Sequence, residues 1–445
     1  MLSPQQRFPE PPSPQPTGRY LVLLQHDADL TSISETVQRA TGAKTVNARE
    51  IGASAHAMAE ALSQGSAVVI DRFKVAVIAP SPTEAGARMA ALASEDIVRR
   101  VRPEFYMFAI SEVRQRYANW VREGLQLLAE GATTILDPAR AAGASIGITS
   151  ADFADTTTET WGLTAIGVIN SPFTGRGIRV AVLDTGLDFD HPDFRGRAIV
   201  RQSFVSGEAD AQDGQGHGTH TAGTIAGPKS SQIGRRYGVA PDVELYVGKV
   251  LDSRGAGMEG DILRGINWAI DQKCAVISMS LGRPVARGEG PDPTYEEVGA
   301  AALAEGSLIV AAAGNESARD FNFIAPVDAP ANSPSIMAVA AVDPKLMVAS
   351  FSCGGINPEG GEVNICAPGV SVYSSFPRPQ LSRVLQGTSM ACPHVAGVAA
   401  LWAESDPSLR GKKLWEALER SAREIGLFRD FGRGLAQTPS RAAGA

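Results

Sequence analysis

Cysteine is scarce in this sequence, which has only four among its 445 residues. The four are Cys274, Cys353, Cys366 and Cys392. They form no CxxC pair and no other spacing typical of metal ligands. Cys353 and Cys366 flank the glycine-rich turn GGINPEGGEVNI and could face each other on a hairpin, but nothing in the sequence indicates an oxidising compartment that would favour a disulfide. The cysteines therefore indicate neither a metal centre nor a disulfide framework.

Long apolar runs and blocks of basic residues are also absent. No apolar stretch reaches the roughly 18–20 residues that a membrane helix needs. With a formal net charge of −7 and no Lys/Arg block, the chain is expected to bind neither nucleic acid nor a membrane. The Pro-rich start, MLSPQQRFPEPPSPQPTG, lacks the apolar core of a signal peptide, so residues 1–18 are predicted to be disordered. This favours a cytoplasmic protein, or a secreted one if the native start differs.

The composition, 44% hydrophobic and 20% charged, is that of a globular protein with two or three domains. The first predicted elements are a strand at 19–25, a helix at 31–41, one or two strands within 68–80, a helix at 83–93 and a strand at 97–110. This order predicts a small α+β domain of the ferredoxin-like kind at residues 19–110. Apolar side chains at helical spacing predict an amphipathic helix at 111–130, within a linker that extends to residue 150.

From Trp161 onward the pattern changes. Continuous apolar runs such as IRVAVLD, CAVISMSLG and LIVAAAG alternate with helical segments. Such runs are typical of parallel strands whose sheet is covered by helices on both faces. We therefore predict an α/β domain at residues 151–436, followed by a short tail at 437–445. In parallel sheets of this kind, active sites lie beyond the carboxyl ends of the strands.

Four polar residues lie at predicted element ends and are bordered by glycine. Asp184 ends the run IRVAVLD, His217 enters the helix of GHGTHTAGTIAG, Asn315 follows LIVAAAG, and Ser389 lies in GTSMACPHVAG. Taken singly, a strand-end aspartate is more often a turn residue and a lone histidine is more often structural. Their joint occurrence indicates a shared site.

These segments resemble the signature motifs of the subtilisin-like serine proteases, and the resemblance extends from about Trp161 to about Ala436. Besides DTG, HGTHTAG, AAAGN and GTSMACPHVAG, it includes GVAP at 238–241, KVL at 249–251, SMSLG at 278–282 and APGV at 367–370. The order Asp, His, Ser along the chain is also the order of this family. The resemblance implies a three-layer catalytic domain with a parallel sheet.

It also implies a role for each of the four residues. Ser389, at a helix N-terminus, would be the nucleophile, and His217 would take its proton and later protonate the leaving amine. Asp184 would orient and stabilise the imidazole. Asn315 would donate its side-chain amide to the oxyanion, beside the backbone N–H of Ser389. The chain would thus hydrolyse peptide bonds of proteins or peptides through an acyl-enzyme, with no cofactor required for the chemistry.

The peptide-binding segments follow from the same resemblance. In the family, the substrate pairs as an extra strand with the segment that corresponds to Ser280, Leu281 and Gly282. That segment and residues 311–315, which include Ala313 and Gly314, would form two walls of the first specificity pocket.

Two acidic residues are candidates for the pocket itself. Alignment back from residues 334–335 without gaps puts Asp328 near the floor and Glu316 at the rim. If both border the pocket, a Lys or Arg before the scissile bond would be preferred, and linker arginines would be self-cleavage sites. These arginines are Arg114, Arg116, Arg122 and Arg140. The alternative is that both carboxylates are solvated loop charges.

Two further expectations come from the family. Asp193 in HPDF matches a position that often helps to bind calcium, although the neighbouring SSQIGRRYG departs from the usual loop. Residues 19–110 resemble, by pattern alone, the propeptide that acts as a folding chaperone and inhibitor, and FYMFAI would then occupy the substrate cleft. About forty residues separate this domain from the catalytic domain, which is unusual and leaves the cleavage point open.

Alternative interpretations concern both single residues and the whole protein. Cys392 stands where many relatives have Ser and could compete as a nucleophile, whereas His220 and His394 are interpreted as structural. A non-enzymatic peptide-binding protein on this scaffold would usually lack a member of the triad, and none is missing here. A nucleotide-binding doubly wound fold would need a G-x-G-x-x-G motif that opens the first helix of the catalytic domain, and that helix has none.

Overall fold

The computed structural model describes residues 9, 11–52, 56–111, 120, 122–124, 126–127 and 152–440. Most of the predicted helix at 111–130, most of the linker and the arginines Arg114, Arg116 and Arg140 lie outside the described residues. None of the helices in the described ranges is both long and apolar enough to cross a membrane.

The N-terminal domain contains five strands and three helices among its described residues. They are β1 (Pro16–Leu24), α1 (Leu30–Thr41), β2 (Thr45–Asn47), α2 (Ala57–Ser63), β3 (Ala67–Ile70), β4 (Val75–Ile78), α3 (Ala85–Ala93) and β5 (Val98–Ala109). The strand order β5-β1-β4-β3 is antiparallel, and β2 adds to β3 in parallel at the edge. The strands β5, β1, β4 and β3 lie side by side in the ferredoxin-like order. The short elements β2 and α2 were not predicted.

The two faces of this sheet have different partners. Val22 and Leu24 of β1 belong to a core formed with Ile33 and Val37 of α1. Leu21 and Leu23, which alternate with Val22 and Leu24 along β1, belong instead to a core that continues into the second domain. Successive strand residues point to opposite faces, so one strand serves both cores. The N-terminal domain therefore buries a whole sheet face against the remainder of the chain.

The second domain is built on a seven-stranded sheet. Its strands are β6 (Arg179–Asp184), β7 (Val200–Ser203), β8 (Glu244–Lys249), β10 (Val276–Met279), β12 (Leu308–Ala312), β13 (Met337–Val342) and β14 (Ile365–Pro368). All pairings in the order β14-β13-β12-β10-β6-β8-β7 are parallel. The central strands β10, β12 and β13 are buried along their whole length. The predicted three-layer α/β fold is confirmed.

The remaining elements surround this sheet. They are α4 (Trp161–Ala165), α5 (His217–Ala226), β9 (Ala256–Met258), α6 (Glu259–Asp271), β11 (Leu281–Gly282), α7 (Pro293–Ala304), β15 (Val372–Ser375), β16 (Ser382–Leu385), α8 (Thr388–Ser405), α9 (Lys412–Ser421) and α10 (Phe428–Phe431). Helix α8 is buried over almost its whole length because its sequence is apolar on every side. It runs beneath the sheet and brings its first turn to the carboxyl ends of the strands.

The ends of both domains extend beyond the predicted boundaries. Residues 16–18, predicted to be disordered, belong to β1. The first residues of the predicted tail are attached, since the Gln437 carbonyl accepts a hydrogen bond of 2.9 Å from Trp402 Nε1, and Thr438 N–H donates to the Ile166 carbonyl. All four cysteines are buried free thiols, so Cys353 and Cys366 do not form the disulfide that was left open.

Candidate active site

Asp184 and His217 are joined directly at the carboxyl edge of the sheet. Asp184 is the last residue of β6, and His217 is the first residue of α5. His217 Nδ1 lies 2.8 Å from Asp184 Oδ1 and 3.0 Å from Oδ2. The Thr185 N–H and the Thr221 hydroxyl also donate to this carboxylate, at 2.7 and 3.1 Å. Both partners are buried, so the carboxylate fixes the tautomer and the orientation of the imidazole.

A second buried aspartate, Asp213, holds the two segments together. Its Oδ1 accepts hydrogen bonds from the Gly216 N–H at 2.8 Å and the Thr185 hydroxyl at 2.9 Å. Its Oδ2 accepts from the N–H and the hydroxyl of Thr219, at 2.8 and 2.6 Å. Asp213 thus connects the end of β6 with the first turn that carries His217. Sequence analysis missed it, although its position in the run DGQGHGTH was a usable signal.

Ser389 lies in the first turn of α8 and is buried. Gly387, just before the helix, has a backbone φ of +153°, which favours glycine. Four residues after Ser389, Pro393 lacks the N–H that would bond the Ser389 carbonyl. The hydroxyl of Ser280 replaces it, with a hydrogen bond of 2.9 Å to the Ser389 carbonyl. Ser389 Oγ lies 3.4 Å from the Ser280 carbonyl oxygen. Ser280 therefore positions the first turn of α8.

Asn315 is oriented by Thr388, the neighbour of Ser389. Asn315 Oδ1 accepts hydrogen bonds from the N–H and the hydroxyl of Thr388, at 2.9 and 3.0 Å. With its oxygen held on this side, the amide Nδ2 points away from Thr388. A side chain at Gly387 would come within 3.0 Å of Nδ2, so glycine keeps the approach open. Asn315 and the first turn of α8 thus offer two N–H donors at one place.

The N-terminal domain fills the groove beside Ser389. The end of β5 pairs antiparallel with β9 on one side and with β11 on the other. In this register Ala109 lies opposite Leu281, and Phe108 lies opposite Gly282. The Ile110 N–H then donates to the Ser280 carbonyl at 3.1 Å, the same oxygen that faces Ser389 Oγ. The segment predicted to receive an extra strand has received FYMFAI.

The segment at Asp328 and Ala329 connects the two predicted walls. The Asp328 N–H donates to the Ala313 carbonyl at 2.9 Å. The next residue, Ala329, exchanges two backbone hydrogen bonds with Arg283, which follows β11. Any side chain on Gly314 would meet the Asp328 carboxyl group at 2.7 Å. Asp328 therefore lies between the two segments that the family resemblance assigns to the pocket walls.

Glu316 lies beside Asp328 and not at an exposed rim. The side chains are almost fully buried, with 2% of Glu316 and 1% of Asp328 exposed, so the alternative of solvated loop charges is wrong. Burial and the nearby Glu316 raise the pKa of Asp328 well above its usual value, and burial raises that of Glu316. The thiol of Cys353 donates to Glu316 Oε2 at 3.3 Å. Nothing in the sequence pattern indicated that Cys353 would join this group.

Other candidate nucleophiles and bases are sealed in the core. Cys392 Sγ faces the Val310 carbonyl at 3.3 Å, and burial raises its pKa to about 11, which keeps the thiol protonated at neutral pH. His220 Nε2 lies 3.1 Å from the Val372 carbonyl, and burial lowers its pKa to about 3. Burial also lowers the pKa of His394 to about 4.

The two buried histidines predict an acid-dependent loss of stability. They stay neutral in the folded chain but bind protons below about pH 6.5 when unfolded, so the free energy of unfolding falls as the pH decreases from about 6.5 toward 4. Each contributes up to about 1.4 kcal/mol per pH unit. The measurement is the free energy of unfolding in denaturant as a function of pH, for Ser389→Ala protein with and without His220→Gln. The added substitution should flatten the pH slope, and an identical slope in both proteins would contradict the prediction.

The surroundings of Asp193 do not fit a calcium site. Its Oδ2 accepts hydrogen bonds from the Ser231 hydroxyl at 2.7 Å and from the Tyr237 hydroxyl at 2.6 Å. Its Oδ1 accepts from the Gln232 N–H at 2.7 Å. Calcium needs six to eight oxygen ligands, whereas here three donors already occupy both carboxylate oxygens. All three donors belong to SSQIGRRYG, the loop that departs from the family pattern.

Comparison with known proteins agrees with this geometry. A family model described as the subtilase family matches residues 175–434. Subtilisin Savinase from Lederbergia lenta is 41% identical over 278 residues, which cover 62% of this chain and 95% of that protein. M-protease from Shouchella clausii (strain KSM-K16) is 41% identical over 278 residues, covering 62% and 67%. Subtilisin E from Bacillus subtilis (strain 168) is 41% identical over 264 residues, covering 59% and 65%.

Proposed function

The chain belongs to the subtilase family of serine endopeptidases, and we propose that Asp184, His217 and Ser389 form its catalytic triad. The observation that carries the proposal is the buried hydrogen bond of 2.8 Å between Asp184 and His217, at the strand edge that Ser389 also reaches. A scaffold that only binds peptides has no need to bury this pair. Reaction with a serine-directed fluorophosphonate, which requires an activated nucleophile, tests the proposal.

Each step of the reaction uses a group whose position is fixed. His217 removes the proton from Ser389 Oγ as the oxygen attacks the substrate carbonyl carbon. The resulting oxyanion is stabilised by Asn315 Nδ2 and by the N–H of Ser389 at the start of α8. His217, held by Asp184, then gives its proton to the leaving amine. Water attacks the acyl-enzyme by the same route and releases Ser389.

We propose that the N-terminal domain inhibits this site. Its strand β5 occupies the groove as a substrate strand would, between β9 and β11. Ile110, whose N–H bonds the Ser280 carbonyl, takes the place of the residue before the scissile bond. The main-chain ladder supplies affinity that is independent of side-chain identity.

Buried ion pairs support the same docking. Arg102 of β5 forms a bidentate contact with Glu259, at 2.6 and 3.0 Å, and lies 2.6 Å from Asp292. Glu104 accepts a hydrogen bond of 2.7 Å from the Gly260 N–H at the start of α6, where the helix dipole favours a carboxylate. These pairs are buried and fix the register of β5 across the groove.

The docked position of Ile110, at the end of β5, also indicates where the chain is cut. Ile110 is buried against Gly282 and carries no charge for the acidic pocket floor. Residues 110–111 are already helical, so the chain does not continue as an extended strand. We infer that Ile110 binds as an inhibitor residue and that cutting occurs at the linker arginines, of which Arg122 is exposed.

The acidic floor predicts a preference for Lys or Arg before the scissile bond. Charge-assisted hydrogen bonds to Asp328 and Glu316 are worth roughly 1.5–3 kcal/mol when desolvated, or about ten- to a hundred-fold in kcat/KM. The measurement is a peptide library varied at that position, assayed in chelator with wild type, Asp328→Asn and Glu316→Gln. Both variants should lose selectivity for basic residues. A wild-type preference for large apolar residues that neither substitution changes would contradict the prediction.

A further inference from the structure

Three side chains at the floor of the proposed specificity pocket converge on one point. One ligand atom each from Glu316, Asp328 and Cys353 lies within 4.8 Å of the others, and all three side chains are buried. Glu316 Oε1 and Asp328 Oδ2 have no hydrogen-bond partner although both atoms are shielded from solvent. A buried oxygen without a donor costs free energy, and here a proton shared by the two carboxyl groups, whose pKa values are raised, offsets part of that cost.

Among the described residues, no cationic side chain balances the two carboxylates of this cluster. Glu316 Oε2 already accepts the Asn315 N–H at 2.7 Å and the Cys353 thiol, but these neutral donors do not balance two carboxylates. Arg283, whose charge acts on Asp328, is itself paired with Glu289 at 3.0 Å. Neither carboxylate forms an ion pair with a cation within the described ranges. A cation that entered the cluster would gain two free oxygens and one sulfur.

Space for such a cation and its water is available beside the carboxylates. Glu316 and Asp328 line a cavity of about 30 Å³, together with Phe323, Pro326 and Trp120. A volume of roughly 10–15 Å³ is enough for one water molecule. The cavity therefore has room for a water ligand next to the three protein donors.

We propose that Glu316, Asp328 and Cys353 bind one thiophilic divalent cation of the zinc class. A thiolate with two carboxylates and a water molecule makes up the four-coordinate set that zinc accepts. Calcium and magnesium prefer oxygen ligands alone, so the sulfur discriminates against them. Binding displaces the thiol proton and any proton that the two carboxyl groups share, and these protons go to solvent. The ion supplies the charge that the cluster lacks.

The proposal rests on the proposed function in one respect, because the same carboxylates face the first specificity pocket. A basic substrate side chain and the cation would compete for them, so the ion would inhibit cleavage after Lys or Arg. The two ideas can fail separately. The peptide library is measured in chelator without added metal, whereas metal binding is measured without substrate.

The test is a titration of the 445-residue chain carrying Ser389→Ala with Cd²⁺ alone, after prolonged equilibration. Cd²⁺ bound to a thiolate gives an ultraviolet charge-transfer band. We expect one equivalent to bind with this band. Cys353→Ser should abolish the band, and Asp328→Asn should weaken binding at least tenfold. Cys274→Ser, which removes a buried thiol elsewhere, is the matched control and should change nothing.

Two outcomes at the sulfur ligand would overturn the proposal. One is the absence of a charge-transfer band in protein that retains Cys353. The other is a band that persists in Cys353→Ser, which would assign the ion to another site. Asp328→Asn is nearly isosteric and keeps the backbone bond to Ala313, so a folded variant that binds Cd²⁺ as tightly as its parent would also contradict the site.

Discussion

Replacing Ser389 by Ala is expected to lower kcat by about 10⁶-fold, the magnitude known for this substitution in subtilisin itself. The loss arises because no other group can form the acyl-enzyme, while the remaining oxyanion donors still bind the transition state weakly. The fold should survive, since the hydrogen bond from Ser389 Oγ to the Ser280 carbonyl is a long one of 3.4 Å. Steady-state and burst kinetics with a peptide substrate, combined with thermal unfolding, measure both effects.

Ser307→Ala is a suitable control for that experiment. Its hydroxyl is also buried and bonds the Cys274 carbonyl at 2.7 Å, away from the catalytic groups. The control should keep full turnover at some cost in stability. Near-normal turnover in Ser389→Ala, with burst kinetics retained, would remove Ser389 from the role of nucleophile.

The second large effect concerns the N-terminal domain. Residues 11–110, expressed alone, should inhibit residues 152–440 in trans, and Arg102→Ala should weaken this inhibition. Truncating one partner of a buried interfacial charge pair costs about 2–5 kcal/mol, because Glu259 and Asp292 would remain buried without a cation. This corresponds to roughly a thirty- to several-thousand-fold increase in Ki.

Arg99→Ala provides the comparison for Arg102→Ala. Arg99 also pairs across the interface, with Glu297, but its side chain is 31% exposed. Exposed pairs contribute about 0–1 kcal/mol, so its Ki should rise less than about sixfold. Equal effects of the two substitutions, or no inhibition by the wild-type segment at micromolar concentration, would argue against the docked arrangement.

The proposed triad could be inferred from sequence because each member lies at or near the end of a recognisable element. Asp184 ends an apolar strand, His217 begins a small-residue helix, and Ser389 lies in the first turn of the apolar helix α8. Parallel strands align their carboxyl ends, so local patterns were enough to bring these residues together. The floor position of Asp328 came from alignment with the family and not from local pattern.

The features that could not be predicted from sequence depend on contacts between distant segments of the chain. Cys353 reaches Glu316 only because the chain returns through a loop whose pattern carries no signal. Arg102 meets Glu259 across 157 positions of sequence, and an arginine in a strand is ordinarily exposed. The short strand β2 and helix α2 offer too few residues for a clear period, and their stability comes from packing.

The central claim is that Ser389 is the activated nucleophile, and fluorophosphonate labelling followed by peptide mass spectrometry tests it most directly. The protein is first freed of its N-terminal domain by limited proteolysis, and Ser389→Ala protein is treated in parallel. We predict a single adduct on the peptide that contains Ser389, absent from the variant. No adduct, or an adduct on another residue such as Cys392, would contradict the account.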